Sequence, residues 1–564
     1  MREKRERRRV LHAVVLLLIA ITMNARVLRA QRVSGTVRDS ASQLPLPGAV
    51  VLLLDPTGKA AARSTTDQSG HFKLFPPARR TPAKLRVRVL RMGFRPHELA
   101  LTDPVAAIEI SLVSFPIVLD ELHVSVPPSC PKRPDRAGAL AVLQQVRTAL
   151  YATVLARTQN AATMTRLLYA RHFDGESDRI ASQTVRTRVT SGTDERFTPA
   201  RTAAAFNRLG FVEDTSGSHT YLGPEAGNLI DEQFAESYCF QFVAAEDSRP
   251  LQVGLHFEPA ERADDDAENR IDMRGTLWVD TVSRTLKDLT FRYVGLDRET
   301  SALGPQGRLS FRELPNGVVI VDRWSLRLLG QRGVESGVTR LRSGDVLATG
   351  ASRPRAQEIG GEIARASWPD GYSWHAPLGR VRVRVVDRAG HPAASSPVRL
   401  LDTDVHATTD LSGMVELADL LPGPYMASVR DSRLAALELP LKNATRFIVT
   451  RDSTIETRIE VESAESVLGH RCAQEGSVPG RGWLLGRAVA ADGRPVPDAR
   501  WTMRDEFGSA MVEGGRVDGD GLFHWCQLPL NRRVTMEVWR EDRRVTATQF
   551  VTDRLTTLRF VLPK

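Results

Sequence analysis

The sequence predicts a mainly β protein. Three small β-sandwich modules flank a central α+β domain, which has a curved antiparallel sheet and one helix. Three observations predict this. The pattern D-x-x-G-x-F/V occurs at Asp67-Gly70-Phe72, Asp410-Gly413-Val415 and Asp518-Gly521-Phe523. Each copy follows a strand-like start by roughly 30–35 residues, the span of one small β-domain used repeatedly. Alternating apolar and polar residues, the mark of half-buried strands, run through most of the chain. One stretch, 137–158, departs from this: Leu140, Leu143, Val146, Leu150 and Val154 recur every three or four residues, as on an amphipathic helix. At roughly 100–200 residues per domain, the 564 residues predict several domains.

The elements follow in order. Residues 1–30 read as a secretory signal: Arg2, Lys4, Arg5, Arg7, Arg8 and Arg9 precede the short apolar run Val10 to Met23, and Ala30 suits cleavage before Gln31. The run is shorter than the roughly 20 residues of a spanning helix, and no later segment reads as a transmembrane span. These 30 residues carry +6 of the formal +10, leaving about +4 for the rest. The high isoelectric point is therefore no footprint for nucleic acid. Residues 31–125 form the first sandwich. Val33, Gly35 and Val37 open it, Ala49 to Leu54 is an apolar strand, and Gly70 supplies the left-handed backbone of the D-x-x-G turn. Leu85, Val87 and Val89 alternate with arginines, read as the solvated face.

Residues 126–137, with Pro127, Pro128, Pro131 and Pro134, form a stiff linker. The central domain spans 138–350. Its helix is followed by hairpins, one of which turns at Asn316-Gly317. A polar, Gly-rich linker is expected over 351–377. The second sandwich spans 378–463, a further linker 464–481, and the third sandwich 482–564. Gly390 and Gly493 mark equivalent turns. Four cysteines, Cys130, Cys239, Cys472 and Cys526, permit two disulfides in an exported protein with three connectivities. Chain proximity favours Cys472–Cys526 and Cys130–Cys239.

The repeat resembles the carboxypeptidase-regulatory-like domain, a transthyretin-like seven-stranded sandwich. The residues that carry the resemblance are Gly35-Thr36-Val37 with Asp39, Pro47-Gly48-Ala49-Val50, and Thr66-Asp67 with Gly70 and Phe72. In the second copy, Leu421-Pro422-Gly423 with Tyr425 is similar to that family's L-P-x-G-x-Y ending, one residue shorter. The third copy has Leu528-Pro529-Leu530 there instead. The resemblance implies spacer, docking or carbohydrate-binding-like modules without catalysis. The central domain is similar to a region that accompanies such modules in exported bacterial proteins, through Tyr238-Cys239-Phe240, Gly254-Leu255 with Phe257-Glu258-Pro259, and Gly275 to Asp280. That likeness implies no activity. Its last hairpin also resembles the open half-barrels of periplasmic lipoprotein carriers.

The chemistry-bearing motifs are mostly absent. No histidine has Glu three residues on, so the His-x-x-Glu of a zinc carboxypeptidase is missing. There is no G-x-S-x-G nucleophile elbow and no phosphate-binding glycine loop. The acidic run Glu261, Asp264, Asp265, Asp266 and Glu268 lacks the spacing of a calcium loop and reads as a solvated hairpin tip. Asn443-Ala444-Thr445 matches a glycosylation sequon. No catalytic residue, metal site or cofactor is expected. The candidate ligand surface is Trp278, Phe291, Tyr293 and Trp324, with Trp368 and Trp374 as further aromatics. The reading is a non-enzymatic binding or scaffold protein of the bacterial envelope, periplasmic, outer-membrane-associated or extracellular. Its partners would be an envelope protein, a glycan or a lipid. Two alternatives stand beside it. One is a carrier holding an apolar ligand between the Leu277–Val279 and Leu289–Tyr293 strands. The other is a hydrolase with an unrecognised site.

Overall fold

The structure is a computed structural model. It describes residues 32–563, apart from 76–84, 102–106, 116–135, 192–201, 261–269, 329–338, 341–345, 348–356, 438–443 and some shorter stretches. The signal, most of the Pro-rich linker, Cys130, the acidic run and the sequon asparagine lie outside the described residues. The chain is mainly β and divides into two compact units. One comprises Met1–Arg166 with Val189–Trp374, and the other Leu167–Arg188 with His375–Lys564.

The first sandwich has strands β1 (Val33–Asp39), β2 (Val50–Leu54), β3 (Ala60–Thr65), β4 (His71–Leu74), β5 (Arg86–Leu90), β6 (His97–Ala100) and β7 (Ile108–Leu112). They form two sheets, β4-β1-β7 and β3-β2-β5-β6, with β1 and β7 parallel. The core is the inward row of each strand, among them Val37, Val51, Val87, Phe72 and Ile110. The same order of three and four strands, with the same parallel pair, recurs over Gly379–Glu460 and Gly482–Leu562.

The repeated motif is a turn whose parts are all occupied. The Asp67 carboxylate accepts the backbone N–H groups of Ser69 and His71, each at 2.9 Å. Asp410 and Asp518 accept the equivalent pairs. Gly70, Gly413 and Gly521 have φ of +73°, +73° and +80°. A Cβ on any of them would lie 2.5 Å from a carbonyl oxygen, of Val37, Val385 and Ala488 respectively. Glycine is thus required twice over, by conformation and by space. The last motif residue faces inward and is matched in size across the strand pair. Phe72 stands opposite Gly35, Phe523 opposite Gly486, and the smaller Val415 opposite Val383.

After the first sandwich and the long helix, β8 (Thr163–Phe173) and β9 (Ile180–Ser191) form a hairpin, and β10 (Val212–Thr215) and β11 (Ser218–Tyr221) a second small one. The main sheet of the central domain runs β12 (Tyr238–Val243), β13 (Gln252–Pro259), β14 (Asp272–Asp280), β15 (Thr285–Val294), β16 (Gln306–Glu313), β17 (Val319–Leu328) and then Gln357–Ser367, each antiparallel to the next. Bulges at Trp278/Val279 and Ser310/Phe311 interrupt the register, which bends a sheet. The long helix Arg136–Gln159 packs Leu143, Val146 and Leu150 onto one face. Three short helices, Ala203–Leu209, Ala226–Leu229 and Glu232–Ser237, add to the single helix expected. They begin at capping residues, with Thr202 and Asp231 accepting first-turn N–H groups at two of them.

Three boundary expectations are corrected. The stretch 351–377 is no linker over Gln357–Ser367, which is a strand of the main sheet. Its glycines look like a loop in sequence, but Gly361 stands opposite the large Trp324. The stretch 464–481 contains the helix Ala464–Glu475. Ser463 caps it, and Ala464, Leu468 and Cys472 are buried along one side. Leu167–Arg188, expected within the central domain, clusters with the second sandwich, although β8 and β9 stand in the strand order of the main sheet after Gln357–Ser367. Val185 bridges Thr403, Arg171 donates to the Pro422 carbonyl at 3.0 Å, and Thr187 donates to Asp404. Gly423 of the shortened L-P-x-G-x-Y ending lies against the buried Gln183 side chain, whose amide donates to the Pro424 carbonyl.

The first sandwich is fastened to the central domain. Gly48 and Gly317 meet backbone to backbone, so a Cβ on Gly317 would lie 2.3 Å from the Gly48 nitrogen. Arg91 pairs with Glu313, Met92 joins the central core, and Gln145 of the long helix accepts the Gly93 N–H at 2.8 Å.

Candidate functional site

The two faces of the main sheet differ sharply. The inward face is filled. Phe257, Gly275, Phe291 and Gly307 stand in one cross-strand row, large and small alternating. A Cβ on Gly307 would fall 2.2 Å from the Phe291 ring. Leu277, Val279, Leu289 and Tyr293 join this core with the long helix, and the Tyr293 hydroxyl donates to the Leu222 carbonyl at 2.9 Å. Burial raises the Tyr293 phenol well above its ordinary range. The strands that a carrier would use to line its cavity are therefore packed against one another instead.

The expected aromatic surface does not form. Phe291 and Tyr293 are buried in this core, and Trp324 packs against its edge. Trp278 lies on the opposite face, capped by the Arg249 guanidinium 4.6 Å from its ring, and its indole N–H reaches Thr290 Oγ1 at 3.4 Å. Trp368 belongs to a small separate cluster with Ile320 and Ile363, and Trp374 packs against that cluster. Period-2 patterning gives each strand two faces, but it does not say which aromatic is on the packed one.

That opposite face carries a polar groove of about 490 Å³. Strand register sets its groups in rows. One row runs His256, Thr276, Thr290, Arg308 and Ser325. The next runs Arg274, Arg292, Gln306, Arg327 and Glu358. Arg308 is neutralised: its Nε and Nη2 donate to Asp288 at 3.1 and 2.8 Å, and Asp288 also accepts from Ser310 and Arg249. Arg274 and Arg292 are exposed and stand directly opposite each other, with no ion pair or hydrogen bond to their side chains among the described residues. Like charges in that relation repel. Sequence reading missed this pair, because alternating arginines on a strand look like any solvated face until the register is known.

A second, smaller pocket of about 30 Å³ has room for about one water. Trp324, Glu225, Asp322 and Glu362 line it. Asp322 is buried; Arg312 donates to its Oδ2 at 2.7 Å, and Oδ1 has no hydrogen-bond partner among the described residues. Burial raises this carboxyl above its ordinary range, against the opposing pull of Arg312 and Arg323. Near Cys239, the Tyr238 hydroxyl donates to Asp272, which also receives Arg270. Burial, then the Asp272 charge, holds the Tyr238 phenol well above its ordinary range. The triad is a buried strut between strands. Among the described residues no group of three or more His, Cys, Asp or Glu side chains is placed to hold a metal ion.

The expected disulfide Cys472–Cys526 is present, both cysteines buried, and ties the Ala464–Glu475 helix to the third sandwich. Cys239 is also disulfide-bonded.

Residues 32–112 match the carboxypeptidase regulatory-like domain. The match covers the first sandwich and agrees with the resemblance drawn from its motif residues. No protein of curated function matches the chain. Among solved structures, the chain is similar to the Bacillus anthracis TIE protein at 11% identity, with a TM-score of 0.15. That match covers 64% of this chain and 65% of TIE, so the chain spans just under two-thirds of that protein's length. It is also similar to the shaft pilin SpaA of Lactobacillus rhamnosus GG, at 7% identity and a TM-score of 0.14, covering 33% of this chain and 96% of the pilin. The minor pilin GBS52 of Streptococcus agalactiae matches at 12% identity and 0.14, covering 33% and 95%. What the regulatory-like domain supports is a structural or docking role.

Proposed function

We propose that this chain is an exported, non-enzymatic docking or scaffold protein of the bacterial cell envelope, in which three regulatory-like sandwiches space and present the central domain. The observation that carries this reading is the fate of the repeated motif. In all three modules one Asp carboxylate oxygen accepts two backbone N–H groups and the glycine serves the turn, so the most repeated polar residue has a structural role in each. The common strand order of the second and third modules supports reading them as copies of the matched one. Export fits the disulfides, which persist in oxidising compartments. Among the described residues no helix is long and apolar enough to cross a membrane.

The test is expression of the full chain in a bacterial host with N-terminal sequencing and fractionation of the envelope. The expected result is a mature protein beginning at Gln31 in the exported fraction. Retention in the cytoplasm with reduced cysteines would overturn the reading. Purified protein screened against ester, glycoside and peptide substrates should show no turnover.

A further inference from the structure

We propose that the polar groove of the main sheet binds an acidic saccharide, with one sugar carboxylate held between Arg274 and Arg292. The proposal deepens the docking reading by naming the chemistry of what is docked. Three features carry it.

The first is the unbalanced charge. In an antiparallel pair, directly opposite side chains have Cβ atoms about 4.5–5.5 Å apart. Two arginines rooted that close, with no ion pair to a carboxylate among the described residues, gain from an anion placed between their guanidinium groups. Planar forks favour a carboxylate or another flat oxyanion, which each can engage through paired N–H donors. Elsewhere on this face the protein supplies its own counter-ion, as Asp288 does for Arg308 and Arg249.

The second is the rest of the groove. Beside the arginine pair lie Thr276 and Thr290, and along its row Gln306, then Arg327, then Glu358 opposite Arg327. Hydroxyls and an amide offer donors and acceptors, and the carboxylate at the far end accepts from a ligand hydroxyl. That mixture suits a ligand with one anionic group and several hydroxyls.

The third is size. About 490 Å³ lies within the range of small-ligand clefts.

The test is calorimetric titration of the purified full chain with digalacturonate, with neutral digalactose as control. The expected result is saturable binding of digalacturonate, and roughly tenfold or greater loss in the Arg274→Ser/Arg292→Ser double variant. Arg540→Ser, in the third sandwich, should bind as the parent does. Absence of digalacturonate binding, equal binding by the double variant, or equal affinity for the neutral sugar would each overturn the proposal. A second measurement stands apart from ligand choice: Arg292→Gln should raise the thermal midpoint of the ligand-free protein, because it removes a like-charge repulsion. A lowered midpoint would mean that the pair is already compensated, and would sink the idea. Both measurements use purified protein, so their failure leaves the export result untouched, and failure of export leaves them interpretable.

Discussion

The second and third sandwiches share one strand order but fill the same place in their cores differently. In the third, Phe523 lies over Gly486, and a Cβ on that glycine would come within 2.0 Å of the ring. In the second, Val415 faces Val383. One module places all the volume on one strand; the other divides it. The first module follows the third, with Phe72 over Gly35. The F/V ambiguity in the motif is thus one half of a two-residue choice. A single position of a repeat is therefore misleading without its cross-strand partner.

The largest effect should come from forcing both volumes into one place. Gly486→Val in the third module sets a branched side chain against Phe523 and should cost about 3 kcal/mol, the upper end of ordinary overpacking. Val415→Phe in the second should cost about 1–3 kcal/mol by the same mechanism. The comparison predicts rescue: Val383→Gly with Val415→Phe should recover at least about 1 kcal/mol of that loss in a double-mutant cycle. Denaturant unfolding of the parent, both singles and the double measures this. Purely additive singles would show that the two positions do not share one space.

The same lesson bears on what the sequence disclosed. The D-x-x-G turn was legible because its requirements are local: an Asp for two N–H groups, and a glycine for a positive φ. The helix at 136–159 was legible by its period. The strand at Gln357–Ser367 was not, because Gly360 and Gly361 look like a loop when the bulk of Trp324 across the pair is unknown. Nor was the helix at Ala464–Glu475, although Ser463 followed by Ala464, Leu468 and Cys472 is a cap and a stripe at fourfold spacing. The Arg274–Arg292 pair was invisible for a deeper reason. The two residues lie on different strands, and only the register of β14 on β15 brings them opposite. Likewise Trp278, Phe291, Tyr293 and Trp324 were grouped by residue type, whereas strand alternation puts Trp278 with Arg274 and Thr276 on the far face.

A next, smaller test asks whether the modules are as alike in their turns as they differ in their cores. Gly413→Ala and Gly521→Ala each put a Cβ 2.5 Å from a carbonyl oxygen at a positive φ. Each should lose about 1–2 kcal/mol, the cost of an L-residue in the left-handed region. Equal losses would confirm that the turn is invariant while the packing beneath it varies. A loss in one module only would break that separation.

The smallest effect is electrostatic, and it has opposite signs at two carboxyls. Asp410, at the turn of the second module, is held below its ordinary range, first by the Ser412 hydroxyl and then by backbone N–H groups. In the third module Asp520 takes the place of that serine and offers its N–H to Asp518, at 3.0 Å. A lowered carboxyl stabilises the fold above its unfolded value of about 3.9, and the stabilisation is lost as pH falls through the lower folded value. The stability difference between the parent and Asp410→Asn should therefore be steady at neutral pH and shrink only below about pH 3.9. Asp322, buried in the central domain, is raised by burial. Its contribution is fully present below about pH 3.9 and is lost as pH rises through the raised folded value. The parent should accordingly lose stability relative to Asp322→Asn on the alkaline side of that point, in the window where Asp410 shows no change. Urea unfolding of the three proteins across pH 3–7 reads both slopes. If the parent instead gained stability relative to Asp322→Asn with rising pH, Arg312 and Arg323 would outweigh burial, and the orphan oxygen in that pocket would be no cost to the fold.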